Sequence, residues 1–467
     1  MREKMKIKRI TGDKFTPFGL ARKLNAKVIL ESSSLSKGRT RYSMLLIDEA
    51  FRIIQERSDE LVLKIDRGWK KMPMEKGRDI LHVVERIAAE HDSREYDFPV
   101  PAGGLGYLTF EFAKYCDSMI FPERIDPLGL PEAAFIFGHI FLIFDHYTDE
   151  IIILGLNYDE HEIDLDKAIK DCEQRILDFN FNYMVEEKKN ASGKIVNEKE
   201  TEEVYKSYVT FIKEEIRKGN LLQCVPSRRL TVESEMDALE AYRNLRSANP
   251  SPYLFYIDFD EYQLFGSSPE VHVKIHHDRV FIRPIAGTRR RGHTPGEDMH
   301  LEEELLNDEK ERAEHTMLVD LARNDLGRVC KPGSVQVTAS MVVERYSKLM
   351  HIVSQVEGDL IPGKTQGDVI RATFPAGTVS GAPKIQAVNT IASIEKLPRT
   401  FYAGLVGYLE PNGQLDTCIT IRSALKKGNC FYLQAGGGIV ADSTPERELE
   451  ETKEKLRATA LALGIQI

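Results

Sequence analysis

The amino-acid sequence predicts an α+β fold built on antiparallel sheet. Strand-like segments occur in batches, and apolar and polar residues alternate along them, as in strands with one face on a core. Helical segments also occur in batches, whereas a wound parallel sheet would alternate strand with helix. The clearest strands are 253–259 (YLFYIDF), 271–275 (VHVKI), 402–410 (YAGLVGYLE) and 430–436 (CFYLQAG). The clearest helices are 203–218, 302–327 and 445–464.

The composition favours a globular enzyme over a nucleic-acid-binding or membrane protein. The 467 residues carry a formal net charge of −9, which argues against nucleic acid as the main partner. No apolar run reaches the roughly 18 residues of a membrane span, and the opening MREKMKIKRI lacks the apolar core of a signal peptide. Six cysteines without a CxxC pair predict reduced thiols in a cytoplasmic protein.

The chain divides into two predicted domains joined by a polar segment. Residues 1–185 mix helices with apolar strands such as 134–144 and 151–156. Residues 185–205 are charged and poor in large apolar side chains, and they predict an exposed linker. Residues 202–467 make up the second predicted domain, which carries the chemically distinctive motifs.

Two pairs of glutamates on predicted helices are the first candidate site. Glu311 and Glu314 lie in one helix, and Glu448 and Glu451 lie in another. Residues three apart share one face of a helix, so each pair repels unless a cation lies between the carboxylates. Two carboxylates from each of two helices suit Mg²⁺, which prefers oxygen ligands, and the His and Cys spacing of a zinc site is absent. A solvated charged face is the alternative for either pair alone.

Three turns are candidates for binding an anion. Segment 283–292 (RPIAGTRRRG) leads from a strand into three arginines, and 374–386 (FPAGTVSGAPKIQ) is rich in backbone donors. Segment 435–443 (AGGGIVADS) lets the backbone approach a ligand closely. Such turns bind carboxylates or phosphates, and tight connecting turns are the alternative. Arg422, at the end of a strand, would need an anionic partner, which a structural Asp or Glu could also supply.

Eight blocks, in order along the second half, resemble the chorismate-utilising enzymes. They are LLQCVPSRR (221–229), FGSSPE (265–270), PIAGTRRRG (284–292), DEKERAEHTMLVDLARNDLGR (308–328), MHIVSQVEG (350–358), FPAGTVSGAPK (374–384), YAGLVGYL (402–409) and QAGGGIVADSTPERELEET (434–452). The resemblance implies a fold of large antiparallel sheets flanked by helices around a central cleft, which binds the dianion chorismate.

The resemblance also implies roles for individual residues. Glu314 and Glu451 are expected to ligate Mg²⁺, supported by Glu311 and Glu448. Glu270 is expected to be the general acid for the departing hydroxyl, with His351 beside that group and Thr288 as a further catalytic candidate. The groups expected to bind the substrate carboxylates are Thr378, Tyr402, Arg422, Gly436, Gly437 and Gly438.

Ala286 selects one reaction among those of the family. Members that add water to chorismate, or an amino group at the hydroxyl-bearing carbon, carry a lysine at this position as base or nucleophile. Members that form anthranilate carry alanine, since ammonia is itself a competent nucleophile. Ala286 therefore indicates attack by ammonia on ring carbon 2, then loss of the hydroxyl and of pyruvate. The resemblance implies a separate glutamine amidotransferase subunit as the ammonia source.

The first half resembles the segment in which the anthranilate-forming members bind tryptophan as a feedback inhibitor. The matching blocks of the first half are VILESS (28–33) and GRTRYSML (38–45). The block SANPSPYLFY (247–256), in the second half, resembles the other side of that pocket. The expected tryptophan-binding residues are Leu30, Glu31, Ser32, Pro252, Tyr253 and Leu254.

Three alternatives remain at the level of sequence. The chain could be an aminodeoxychorismate synthase large subunit, whose members share nearly every block. It could stop at the aminodeoxyisochorismate stage, without eliminating pyruvate. It could also be a catalytically silent regulator that binds chorismate or tryptophan, although four clustered acids that repel without a metal argue against this.

Overall fold

The computed structural model describes residues 3–34, 38–39, 41–57, 60–65, 68–72, 77–178, 193–345 and 349–467. The strands are Met5–Thr11 (β1), Val28–Glu31 (β2), Ser33–Ser34 (β3), Gly38–Arg39 (β4), Tyr42–Gln55 (β5), Leu61–Ile65 (β6), Gly68–Met72 (β7), Leu105–Leu108 (β8), Ala133–Asp145 (β9), Glu150–Leu156 (β10), Lys194–Ile195 (β11), Gln223–Cys224 (β12), Ser227–Glu233 (β13), Tyr253–Asp258 (β14), Gln263–Ser268 (β15), Val271–His276 (β16), Arg279–Ile282 (β17), Ile285–Arg290 (β18), Gln336–Arg345 (β19), Leu349–Asp359 (β20), Gly381–Ala382 (β21), Leu405–Leu409 (β22), Leu415–Ile419 (β23), Ser423–Lys427 (β24) and Cys430–Gly436 (β25).

The helices pack against the faces of the sheet. They are Pro17–Leu24 (α1), Ile80–Ala88 (α2), Leu165–Leu177 (α3), Glu198–Arg217 (α4), Ala238–Ala248 (α5), Pro295–Asn307 (α6), Glu309–Gly327 (α7), Gln366–Thr373 (α8), Lys384–Ile394 (α9) and Pro445–Ala462 (α10), with short 3₁₀ helices at Phe110–Tyr115 and Gly377–Val379. The predicted helix 302–327 is two helices, because α6 ends at Asn307 and Asp308 caps the start of α7 with its carboxylate.

One antiparallel sheet runs through both halves of the chain. Within the described residues, 21 strands belong to it. Strand β2 pairs antiparallel with β14, and β8 pairs antiparallel with β22, so strands from the predicted N-terminal domain adjoin strands from the predicted catalytic domain. The α+β fold with large antiparallel sheet is confirmed. The boundary between the two domains stays a prediction.

The predicted exposed linker, 185–205, is wrong in its later part. Residues 185–192 lie outside the described residues. Beyond them, β11 pairs with β13, and helix α4 begins at Glu198. Helix α4 buries Tyr205, Val209 and Ile212 against the core. The segment looked like a linker because its first turns are charged and solvent-facing, and the apolar stripe starts only at Tyr205.

Helices α7 and α10 each bury one face and leave an acidic edge towards the cleft. Helix α7 buries Leu318, Ala322 and Leu326, which are spaced by four residues as an amphipathic helix requires. Helix α10 buries residues such as Leu449 and Leu456, and it packs against α4, α5 and β25. This packing fixes α10 relative to the end of β25, while α7 packs against β18 and β20.

The cysteines are thiols, and most of them are buried. All six cysteines are unpaired thiols, and five of them are buried. Burial raises the pKa of Cys172 and Cys224 to about 12, so these two thiols are inert near neutral pH. In the described part of the chain, no helix is both long enough and apolar enough to cross a membrane.

Candidate active site

The glycine-rich turn after β25 brings carboxylates from two helices together. A Cβ atom placed on Gly437 would lie 3.0 Å from Glu448 Oε2 and 3.7 Å from Glu451 Oε1. A Cβ atom placed on Gly438 would lie 3.4 Å from Glu314 Oε1. Helix α7 supplies Glu314, and α10 supplies the other two carboxylates. Glycine at this turn therefore leaves room for three acidic groups beside one stretch of backbone.

Burial and mutual repulsion act on these carboxyl groups. Burial is the main cause that raises the pKa of Glu314, and the charges of Glu311 and Glu451 raise it further. Burial also raises the pKa of Glu448, with a further contribution from Glu451. Atom Oε2 of Glu448 is buried without a hydrogen-bond partner. Gln223 Nε2 donates to Glu314 Oε1 at 2.9 Å, which opposes the rise there. The cluster is thus one in which acids are held close despite their repulsion.

Two basic side chains offset part of this charge. Lys455, one turn beyond Glu451 on α10, places Nζ 2.6 Å from Glu451 Oε1 and donates to Gly436 O at 2.8 Å. Its charge is the main cause that lowers the pKa of Glu451. Arg289 Nη1 donates to Glu311 Oε1 at 3.2 Å. Sequence reasoning missed Lys455 and Gln223. The spacing of four residues from Glu451 to Lys455 was the available signal.

The donor set fits a hard divalent cation, although the acids do not already form a cage. Among the residues that the structure describes, no group of three or more His, Cys, Asp or Glu side chains is arranged to hold a metal ion. The candidate donors are nevertheless all carboxylate oxygens, the ligands that Mg²⁺ prefers. The buried and unpartnered Glu448 Oε2 also needs a cation or a donor. The chemistry of these donors fits Mg²⁺. In this structure, however, the cation that pairs with Glu451 is the ammonium group of Lys455.

Glu270, just after β15, is a buried carboxyl group in the same cleft. Burial raises the pKa of Glu270 to about 8, against opposing effects of the Thr378 hydroxyl, the Ile285 N–H and the charges of Lys455 and Arg422. Thr378 Oγ1 is itself buried and makes no hydrogen bond of good geometry. A carboxyl group that remains protonated near neutral pH can donate a proton.

His351 on β20 lies opposite Thr288 on β18, at a β-bulge. The register shifts between Ala286 and Thr288, which leaves Gly287 as the extra residue at φ +63°. His351 Nδ1 lies 3.2 Å from Gly287 O and 3.0 Å from Thr288 Oγ1. Because a carbonyl only accepts, we assign the ring proton to Nδ1, which leaves the lone pair on Nε2. Burial lowers the pKa of His351 to about 4, so the ring is neutral at pH 7.

Ala286 precedes this bulge and follows Ile285, whose backbone contacts the candidate acid. It pairs with Ile352 across the strands. Its neighbour Ile285 donates its N–H to the Glu270 carboxyl. The residue that follows this backbone donor on β18 thus carries a side chain with no titratable group.

Arg422 and Tyr402 form another wall of the cleft. Arg422 has a left-handed backbone, with φ +50°, and its Nη1 donates to Lys455 O at 3.2 Å. Burial lowers the pKa of Arg422, while Tyr402 and the acids Glu451 and Glu270 raise it. The guanidinium group is therefore close to the acidic groups of the site and available to an anion.

Two backbone groups of the predicted carboxylate-binding turn already have partners. The Gly437 N–H donates to the Tyr205 hydroxyl at 3.1 Å, and Gly436 O accepts from Lys455. A Cβ atom on Gly436 would lie 3.2 Å from the Tyr402 hydroxyl, which places that hydroxyl at the turn. Tyr205 was missed because it lies in the segment taken for a linker.

The prediction that 283–292 presents its positive charge to an anion is wrong. Helices α6 and α7 supply acids to all three arginines of this segment. The pairs are Arg289 with Glu304, Asp308 and Glu311, Arg290 with Glu297, and Arg291 with Asp298. In the turn 374–386, Lys384 likewise pairs with Asp325 at 2.7 Å, so this lysine is part of an internal ion pair.

A second cavity, of about 850 Å³, lies where the N-terminal strands meet the C-terminal half. Its lining includes all six predicted tryptophan-binding residues: Leu30, Glu31, Ser32, Pro252, Tyr253 and Leu254. The pairing of β2 with β14 brings the two segments together. The Glu31 carboxylate is engaged by Arg246 at 2.6 Å and by the Tyr242 hydroxyl at 2.9 Å. Of the predicted segment 38–45, residue 40 lies outside the described residues, while Arg41 lines the cavity.

Comparisons with known proteins show which family the chain resembles over most of its length. Residues 34–460 match the family model described as chorismate binding enzyme. The chain is 57% identical to anthranilate synthase component 1 of Spirochaeta aurantia, over 99% of this chain and 96% of that protein. It is 39% identical to anthranilate synthase component 1 of Aquifex aeolicus, over 97% and 93%.

A solved structure has the same fold. The crystal structure of anthranilate synthase component I from Streptococcus pneumoniae superposes with a TM-score of 0.80 at 34% identity, covering 90% of this chain and 92% of that one. Together with the family match, which spans most of the sequence, this similarity shows that the chain belongs to the chorismate binding enzyme family.

Proposed function

We propose that the chain is the synthase subunit that converts chorismate and ammonia into anthranilate, pyruvate and water for tryptophan biosynthesis. The observation that carries this proposal is Ala286, which follows Ile285, the backbone donor to the buried acid Glu270, at the position where a lysine would serve as base or nucleophile. The high identity to proteins designated anthranilate synthase component 1 supports it.

The side chains of the cleft divide the work of binding and proton transfer. Arg422 and Tyr402 bind a substrate carboxylate, with the Thr378 hydroxyl as a further donor. Glu270 gives its proton to the ring hydroxyl, which leaves as water once ammonia has added to ring carbon 2. His351, neutral at pH 7, accepts a hydrogen bond at Nε2 from the hydroxyl that departs and so orients it.

Mg²⁺ is proposed as the cofactor of this cleft. Glu314 and Glu451 would hold it, with Glu311 and Glu448 in support. When bound, the cation supplies Lewis-acid polarisation of the ring carboxylate. Support comes from the carboxylates gathered at Gly437–Gly438 and from the unpartnered Glu448 Oε2.

Ammonia is proposed to come from a separate glutamine amidotransferase subunit. The relatives are designated component 1, which supports a second component. The two thiols with a pKa near 12, Cys172 and Cys224, are poor candidates for the nucleophile of a glutaminase.

A cytoplasmic location is also proposed, and the unpaired thiols support it.

Tryptophan is proposed to inhibit the enzyme from the 850 Å³ cavity. This cavity also touches Ile285, whose N–H donates to Glu270. A ligand that moved strand β18 would therefore move a group bonded to the general acid. This connection supports feedback inhibition through the strand that separates the two sites.

The test is a direct assay of the purified chain with chorismate, MgCl₂ and an ammonium salt. Anthranilate is followed by its fluorescence and pyruvate by a coupled dehydrogenase. Equal amounts of the two products are expected. Aminodeoxychorismate, or a non-fluorescent amino product without pyruvate, would replace this proposal with one of its rivals. Absence of turnover, with chorismate or tryptophan still bound, would indicate a silent regulator.

A further inference from the structure

The ammonium group of Lys455 lies among the carboxylates that are proposed to bind Mg²⁺. Its Nζ lies 2.6 Å from Glu451 Oε1 and donates to Gly436 O at 2.8 Å. Gly436 adjoins the two glycines around which Glu314, Glu448 and Glu451 gather. The ammonium group thus lies at the glycine-rich turn, paired with a carboxylate that is proposed to bind metal.

We propose that Lys455 is an internal counter-cation that competes with Mg²⁺ for Glu451, so that metal and substrate bind tightly only together. This inference rests on the proposed function and concerns how its site is loaded. It accounts for the absence, among the described residues, of a ready-made metal cage in a cleft so rich in carboxylates.

The physical reason is that a buried ammonium group needs an anionic partner. If Glu451 turns to a divalent ion, Lys455 loses its carboxylate and is left beside two further positive charges. The cost of that arrangement weakens metal binding to the free protein. A dianionic substrate removes the cost, because one of its carboxylates can pair with Lys455 while the metal holds the acids.

Substrate and metal must then strengthen each other's binding. Linkage requires the effect to be reciprocal: the factor by which chorismate tightens Mg²⁺ binding equals the factor by which Mg²⁺ tightens chorismate binding. Arg422, which donates to Lys455 O at 3.2 Å and lies close to Glu451 and Glu270, adds to the positive charge that the substrate neutralises.

The experiment is calorimetric titration of MgCl₂ into the full chain without ammonia, with and without saturating chorismate. In the wild type, chorismate is expected to tighten metal binding at least about tenfold, or about 1.4 kcal/mol. Lys455→Met keeps the length of the side chain and removes its charge. Without chorismate, this variant is expected to bind Mg²⁺ at least about tenfold more tightly than the wild type.

Lys453→Met is the matched control. Lys453 lies on the same helix and pairs with Glu202 at 2.7 Å, so the variant removes the same charge and leaves the Glu451 pair intact. It is expected to bind Mg²⁺ like the wild type. Equal tightening in both variants would overturn the proposal, since a general change of charge would then explain the effect.

Two further results would also overturn it. One is Lys455→Met binding Mg²⁺ no more tightly than the wild type, with thermal unfolding showing that the variant is folded. The other is wild-type metal affinity that chorismate leaves unchanged, a measurement that needs no variant. Anthranilate formation, assayed separately in the same buffer, decides the proposed function. Loss of the proposed function would therefore appear in the anthranilate assay, whereas loss of the proposed competition between Lys455 and Mg²⁺ would appear in the metal titrations.

Discussion

The pKa of Glu270 makes a quantitative prediction for catalysis. Burial raises this pKa from 4.5 to about 8. At pH 7 a carboxyl group with a pKa of about 8 is about 90% protonated, whereas one with a pKa of 4.5 is about 0.3% protonated. The buried site therefore increases the fraction of competent acid about 300-fold.

The assay is the pH dependence of kcat/KM for chorismate, with the concentration of free ammonia held constant. The rate is expected to be level below the pKa of Glu270 and to fall about tenfold for each pH unit above it. His351, with a pKa lowered to about 4, does not titrate in this range. The charged groups that act on Glu270 are Lys455 and Arg422, and both stay protonated there. Glu270→Gln should lower the rate and remove the alkaline limb.

The same shift predicts an effect on stability, with a definite sign. Because the folded state favours the protonated form, this contribution is fully present below the unfolded pKa of 4.5 and is lost as pH rises towards about 8. Its total is on the order of 5 kcal/mol. As the pH rises between these two values, the unfolding free energy of the wild type should therefore fall relative to that of Glu270→Gln. In the kinetic assay, a kcat/KM for chorismate that stays constant up to pH 9.5, or that already falls near pH 4.5, would refute the reasoning.

Four other substitutions test the cleft, the cavity and the core. Glu314→Gln and Glu451→Gln should each lower anthranilate formation at least about a hundredfold, because each removes a charge that is proposed to hold Mg²⁺; near-normal fluorescence rates would contradict this. Ser32→Phe should weaken inhibition by tryptophan and spare the uninhibited rate, since the ring enters the cavity; an unchanged inhibition curve would count against the site. Glu395→Gln should lower the free energy of unfolding by about 3–5 kcal/mol, because Arg399, 1% exposed, loses a charged partner at 2.6 Å; denaturant unfolding with a loss below about 1 kcal/mol would argue against that cost.

Local patterns in the sequence were enough to predict the strand and the helices that carry the site residues. The strand at 430–436 is β25, and the helix predicted at 445–464 is α10, which ends two residues earlier. The spacing of three residues in each glutamate pair predicted one acidic edge for each helix. These are properties of a segment, set by a period of two in strands and 3.6 in helices.

Partners across the chain were harder to predict. The three arginines of 283–292 suggested an anion site, but the acids of α6 and α7 take them all. Tyr205 was placed in a linker, but it is buried and accepts from the Gly437 N–H. In both cases the local composition was correctly described, but the contact itself was decided by the fold: the acids lie on the two helices that follow the arginines, and Gly437 lies 232 residues beyond Tyr205.

The sequence by itself determined the class of fold, the acidic edges of two helices and the alanine at position 286, because each depends only on residue type and short-range spacing. The tertiary structure alone decided that the two acidic edges meet at Gly437–Gly438 and that Glu270 is buried deeply enough to hold its proton. Distances through space and the loss of water from a cleft arise from packing between separate segments of the chain, and no local pattern encodes them.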